Sequence, residues 1–150
     1  MKSTALAFLL LAGTLVSCDD KDDDIKIEDV PATVREALSS AFPNATDVDW
    51  EKKGEDYEAD FDINRVDYST LFNASGSLMK HKYDIAETEL PEPIRANITQ
   101  NYAEYKIDDP EVLVQDGDTL YQVELDHTTS TDEKLVFSTD GQKLTHAYWD

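Results

Sequence analysis

Hydrophobic and polar positions along the chain follow one scheme twice, from Val30 to Asp84 and again from Leu90 to Asp150. Val30, Val34, Ala37, Leu38, Ala41 and Phe42 recur at helical spacing, with Arg35, Glu36, Ser39 and Ser40 on the opposite side, which predicts an amphipathic helix. Pro31 suits the first turn, where a missing N–H costs nothing, and Pro43-Asn44 marks the stop. The period then changes to two. Val48 and Trp50 alternate with acids, Tyr57, Ala59, Phe61 and Ile63 with Glu58, Asp60 and Asp62, and Val66, Tyr68, Thr70 and Phe72 with Asp67 and Ser69. These runs predict half-buried antiparallel strands, and Leu78 to Tyr83 closes the unit. Turn residues separate them at Lys53-Gly54-Glu55-Asp56, Asn64-Arg65 and Asn73-Ala74-Ser75-Gly76.

The second pass has Leu90, Ile94, Ile98 and Tyr102 on its helical stripe, with Pro91 and Pro93 in the first turn. Its strands are expected around Val112 and Val114, Tyr121 to Leu125, Leu135 to Phe137 and Leu144 to Tyr148. Pro31 and Pro91 lie 60 positions apart, Tyr57 and Tyr121 lie 64 apart, and Gly76 and Gly141 lie 65 apart, so the drift falls in loops. The expected class is α+β: two tandem repeats, residues 30–84 and 90–150, each a helix and a four-stranded antiparallel sheet. Both helices would cover one face, and the sheets could lie side by side or run on as one.

The first residues look like an address rather than part of the fold. Lys2, the apolar run Ala5 to Val16 and Leu15-Val16-Ser17-Cys18 resemble the lipobox of bacterial lipoproteins. The resemblance implies a signal peptide over residues 1–17 and lipidation of Cys18, the one cysteine of the chain, hence an outer-membrane lipid anchor. A single cysteine also excludes an internal disulfide. Asp19-Asp20-Lys21-Asp22-Asp23-Asp24 opens an acidic tether over residues 18–29, expected to be disordered, reaching about 35 to 40 Å if extended. An acidic run behind the lipidated cysteine resembles the signal that some diderm bacteria use for surface export; a spacer on a periplasmic lipoprotein is the other reading.

Charge narrows the partners. The chain carries 33 acidic against 13 basic residues, a formal charge of -20, which disfavours nucleic acid because phosphate contacts need clustered Lys and Arg. Strand alternation places Glu58, Asp60, Asp62, Glu124 and Asp126 on the side away from the helices. That face could hold a basic segment of another envelope protein or collect divalent cations, or be a solvated face that discourages aggregation. No catalytic residues or cofactor are expected. His81 and His146 fall on equivalent last strands beside Tyr83 and Tyr148, and His127 near a loop, which supplies no zinc motif. Asp118-Thr119-Leu120 resembles an acceptor triplet for bacterial O-glycosylation, with Thr119 as the acceptor.

Val30-Pro31, Phe42-Pro43, Val48-Asp49-Trp50, Tyr57-Glu58-Ala59-Asp60-Phe61 and Phe72-Asn73-Ala74-Ser75-Gly76, echoed by Leu90-Pro91, Tyr102, Tyr121-Gln122-Val123-Glu124-Leu125 and Phe137-Ser138-Thr139-Asp140-Gly141, are similar to the PepSY-like family of beta-lactamase-inhibitor-like proteins. The second pass departs at Ala103, where the first has Pro43, and has no counterpart of Trp50. The resemblance implies a helix-plus-sheet repeat like that of beta-lactamase inhibitor protein and no established catalytic residues. Lactamase inhibition itself does not transfer with a fold. Two function classes follow: a non-catalytic module that binds, and could inhibit, an envelope protein or peptide, or a cation- or small-ligand-binding accessory. Oligomeric state is left open.

Overall fold

The computed structural model describes residues 24–150. The expected signal peptide, Cys18 and the acidic run as far as Asp23 lie outside the described residues.

Helix α1 (Ala32–Ala41) begins after Pro31, whose carbonyl accepts from Val34 and Arg35 N–H at 3.0 and 3.1 Å. Helix α2 (Glu92–Asn101) repeats that start on Pro91, with Ile94 and Arg95 as donors at 3.0 and 3.2 Å. The two helices also end alike: Phe42 and Tyr102 leave at φ −132° and −133°, each donating to a carbonyl four residues back at 2.8 Å. Ala103 in place of Pro43 therefore leaves the exit unchanged. Ala41, expected on the apolar stripe, is exposed.

Among the described residues, eight strands form a single antiparallel sheet in chain order: β1 (Thr46–Lys53), β2 (Asp56–Ile63), β3 (Val66–Phe72), β4 (Leu78–Asp84), β5 (Lys106–Gln115), β6 (Asp118–Asp126), β7 (Glu133–Ser138) and β8 (Lys143–Leu144). The expected halves are continuous, because β4 pairs with β5 from Lys80↔Gln115 to Asp84↔Glu111. Val30, Val34, Leu38, Trp50, Ala59, Phe61 and Phe72 make one helix-side core, and Leu90, Ile94, Ile98, Val123, Leu125, Leu135 and Phe137 the other.

The turns after β3 and β7 share one device. Gly76 and Gly141 both sit at φ +83°, and each donates its N–H three residues back, to Asn73 and Ser138, at 2.9 Å. A Cβ at Gly76 would stand 2.7 Å from the Thr33 carbonyl oxygen, and one at Gly141 2.6 Å from that of Pro93. Glycine is thus required twice, because each turn touches the first turn of its helix.

Two expectations fail. The tether was to remain disordered as far as Asp29, yet Asp24 bridges Glu51, Ile25 donates to the Trp50 carbonyl at 2.9 Å, and Ile27–Asp29 form a 3-10 turn. Ile25 packs on the first core, so it has apolar surface to bury despite its acidic neighbours. The last strand was to run from Leu144 to Tyr148, but β8 stops at Leu144. Residues 145–150 instead cross the sheet face opposite the helices. There Leu113 and Val136, on that face by alternation, are buried outside both helix-side cores.

Candidate binding face

Alternation about Ala59 and Phe61 directs Glu58, Asp60 and Asp62 of β2 away from α1, and alternation about Val123 and Leu125 does the same for Glu124 and Asp126 of β6. All five share one face as expected. They do not share one site, because β3, β4 and β5 lie between, four strand spacings or about 19 Å. Nor is the face uniformly acidic. Lys80 and Lys82 project from β4 midway between the two groups, in register with Leu71 and Ser69.

The β2 group is crowded with its own kind. Asp47, Asp49, Asp60, Asp62 and Asp67 line a shallow cleft with Tyr68 and Ser69. Burial raises the Asp60 pKa, opposed by a hydrogen bond from Ser69, and a hydrogen bond shared with Asp67 raises that of Asp62. Glu58 is 6% exposed, with Lys53 Nζ at 3.5 Å; burial raises its pKa more than Lys53 lowers it. On β6, Lys134 Nζ stands 3.9 Å from Glu124. Burial and then Asp108 raise the Asp126 pKa. Glu124, Asp126 and Asp132 bring carboxylate oxygens within 4.8 Å of one another, although Asp132 also accepts the His127 N–H at 2.9 Å. That loop contributor was not evident from strand alternation.

Sequence reasoning missed the centre of the face. Trp149, expected just beyond a strand, lies over the sheet: its indole N–H donates to Glu58 Oε2 at 3.1 Å and its backbone N–H to Gln122 Oε1 at 2.8 Å. Its carbonyl accepts from Lys82 and Gln122, both at 3.0 Å. Gln122 also donates to Glu111 at 2.9 Å, and Lys82 pairs with Glu111 at 3.0 Å. Spacing alone carried a signal for Lys80 and Lys82, which share the alternation of the acids; none marked Trp149.

The histidines are dispersed. His81 lies edge-on to Phe42, 5.5 Å between centroids, and burial lowers its pKa. His127 lies 4.7 Å from Tyr105 and 3.7 Å from Glu104. His146 is not in a strand equivalent to that of His81; its Nε2 is 3.3 Å from Gln115 Oε1. Thr119 is exposed near the β5–β6 turn. Among the described residues, no helix is long and apolar enough to cross a membrane.

The fold has relatives among solved structures. A DUF2874 family protein from Bacteroides uniformis matches with a TM-score of 0.71 at 21% identity, over 76% of this chain and 86% of that one. A Bacteroides eggerthii structure described as "putative periplasmic proteins" gives 0.72 at 17%, over 77% and 86%. A BLIP-like protein from Bacteroides fragilis gives 0.66 at 24%, over 76% and 82%. These likenesses establish a common fold. No curated protein matches the chain. The family model described as "Putative beta-lactamase-inhibitor-like, PepSY-like" matches twice, over residues 12–80 and 63–145, and the chain belongs to that PepSY-like family.

Proposed function

We propose that this protein is a non-catalytic lipoprotein of the bacterial envelope that binds another envelope protein or peptide through the sheet face opposite its helices. In this reading residues 1–17 are removed and Cys18 carries the lipid that holds the chain at the outer membrane. Two repeats, 30–84 and 90–150, then form one rigid platform. The carrying observation is the chemistry of that face: Asp47, Asp49, Asp60, Asp62 and Asp67 repel one another in one cleft, where a hydrogen bond shared with Asp67 raises the Asp62 pKa, while Lys80 and Lys82 stand on β4 two strands away. A partner that brings cations to the β2 side relieves this repulsion, and one that brings anions to the β4 side does not. Crosslinking on intact cells followed by mass spectrometry tests the reading. A dominant partner captured by the native chain should be lost with Asp60→Asn/Asp62→Asn; capture indifferent to those changes overturns it.

The second reading, a cation-binding accessory, is favoured by Glu124, Asp126 and Asp132. Oxygen ligands suit calcium, and calcium binding would raise the melting temperature, an effect removed by Asp126→Asn. Thr119 is the proposed glycan acceptor, tested by the mass of the peptide that contains it.

A further inference from the structure

Residues 145–150 are held as a bound peptide is held rather than as a strand is. None of them has a backbone-to-backbone hydrogen bond to the sheet. Sheet side chains take that role: the Gln122 amide engages both the N–H and the carbonyl of Trp149, and Lys82 reinforces the carbonyl. The indole N–H meets Glu58, and the Lys80 ammonium lies 4.0 Å from the ring centroid, within cation–π range. Gln122 is 0% and Glu58 6% exposed, so both are buried polar groups aimed at one residue. Their strands, β6 and β2, belong to different repeats, and Lys80 and Lys82 come from β4 between them.

We propose that this cradle is a receptor for an extended peptide segment carrying a tryptophan, and that Trp149 occupies it as an internal ligand that a partner segment displaces. The proposal deepens the binding function above and rests on it. An extended backbone is read by a primary amide and an ammonium, and the aromatic residue by a carboxylate that needs an N–H. Phenylalanine would fill the space and leave Glu58 Oε2 without the indole donor, a costly loss at a buried carboxylate. Displacement is feasible because no backbone ladder ties the segment to the sheet, so no strand pair must open. A tethered ligand acts at an effective concentration on the order of millimolar, so it competes without closing the face permanently.

The test uses a labelled, N-acetylated peptide with the sequence of residues 145–150 and full chains in solution, read by fluorescence anisotropy. Trp149→Ala should bind it at least tenfold more tightly than the native chain, since the cradle is vacated. Replacing the peptide's tryptophan by phenylalanine, or adding Gln122→Ala to the protein, should weaken binding at least tenfold. Equal binding by the native and Trp149→Ala chains, or none by a Trp149→Ala chain that melts cooperatively, would overturn the proposal. If that variant fails to fold, hydrogen exchange on the native chain decides: residues 145–150 should exchange at least a hundredfold faster than the amides of β6, and equal protection sinks the idea. Partner capture that depends on Asp60 and Asp62 but ignores Trp149 would leave the sheet-face function standing and remove only this inference.

Discussion

Val30, Val34 and Leu38 in the first repeat correspond to Leu90, Ile94 and Ile98 in the second, and Ala59, Phe61 and Phe72 to Val123, Leu125 and Phe137. On the opposite face the correspondence fails. The first repeat presents a cleft of aspartates there, whereas the second buries Leu113 and Val136 on the face that residues 145–150 cross. A helix seated on one face constrains volume and shape, so both copies keep the same apolar pattern. The outer face had no such partner and was free to diverge into charge on one side and a covered patch on the other.

The comparison breaks most visibly in the cores. Phe72→Ala and Phe137→Ala each remove a fully buried ring and should cost about 3 to 5 kcal/mol in urea unfolding. Similar losses with one shared transition would show that the continuous sheet makes the repeats a single cooperative unit; two transitions would show that they unfold separately. Gly76→Ala and Gly141→Ala test the shared turn. Each forces a Cβ against a helix carbonyl at positive φ and should cost about 2 to 3 kcal/mol, with Gly141 at least as sensitive because Pro93 is the closer neighbour.

At the seam between repeats, burial and then Asp109 and Glu111 push Asp84 up to about 6 from 3.8. The folded chain binds this proton more tightly than the unfolded chain. Its stabilising contribution is therefore present below the lower value and is lost as pH rises through the higher one. Burial raises Glu58 and Asp60 in the same direction. Stability should decline across that window, and Asp84→Asn should gain about 1 kcal/mol at neutral pH, allowing for solvent screening, and nothing well below the window. Thermal melts at both ends measure it. The smallest effect belongs to the rim, where Lys52 Nζ lies 3.6 Å from the Tyr57 ring centroid and Lys143 Nζ 5.6 Å from that of Tyr102. Lys52→Ala should cost about 0.5 kcal/mol and Lys143→Ala less, resolvable by paired denaturant curves.

Much of the fold was legible because helix-side burial imposes a period. The stripes through Val34 and Leu38 and through Ile94 and Ile98 marked both helices, and alternation about Ala59 and Val123 marked the strands and the face bearing Glu58 and Glu124. The growing offset between copies, from 60 at the prolines to 64 at the tyrosines, also has a structural meaning. It was expected in loops but falls within strands, since β5 and β6 run to 10 and 9 residues against 8 each for β1 and β2. Ile25 and the C-terminal residues were misread because composition described their neighbourhood and not what they touch.

The sequence by itself determined the two helix-and-strand repeats, the glycines that close their turns and the five carboxylates directed away from the helices, since each follows from the period of a local element and the need to bury one side of it. Only the tertiary structure decided that the sheets join through β4 and β5, that Lys80 and Lys82 divide the acidic groups, and that Trp149 reaches Glu58 across 91 positions of chain. Those outcomes depend on which strand edges meet and on where the chain end finds donors and acceptors, and local periodicity carries no information about either.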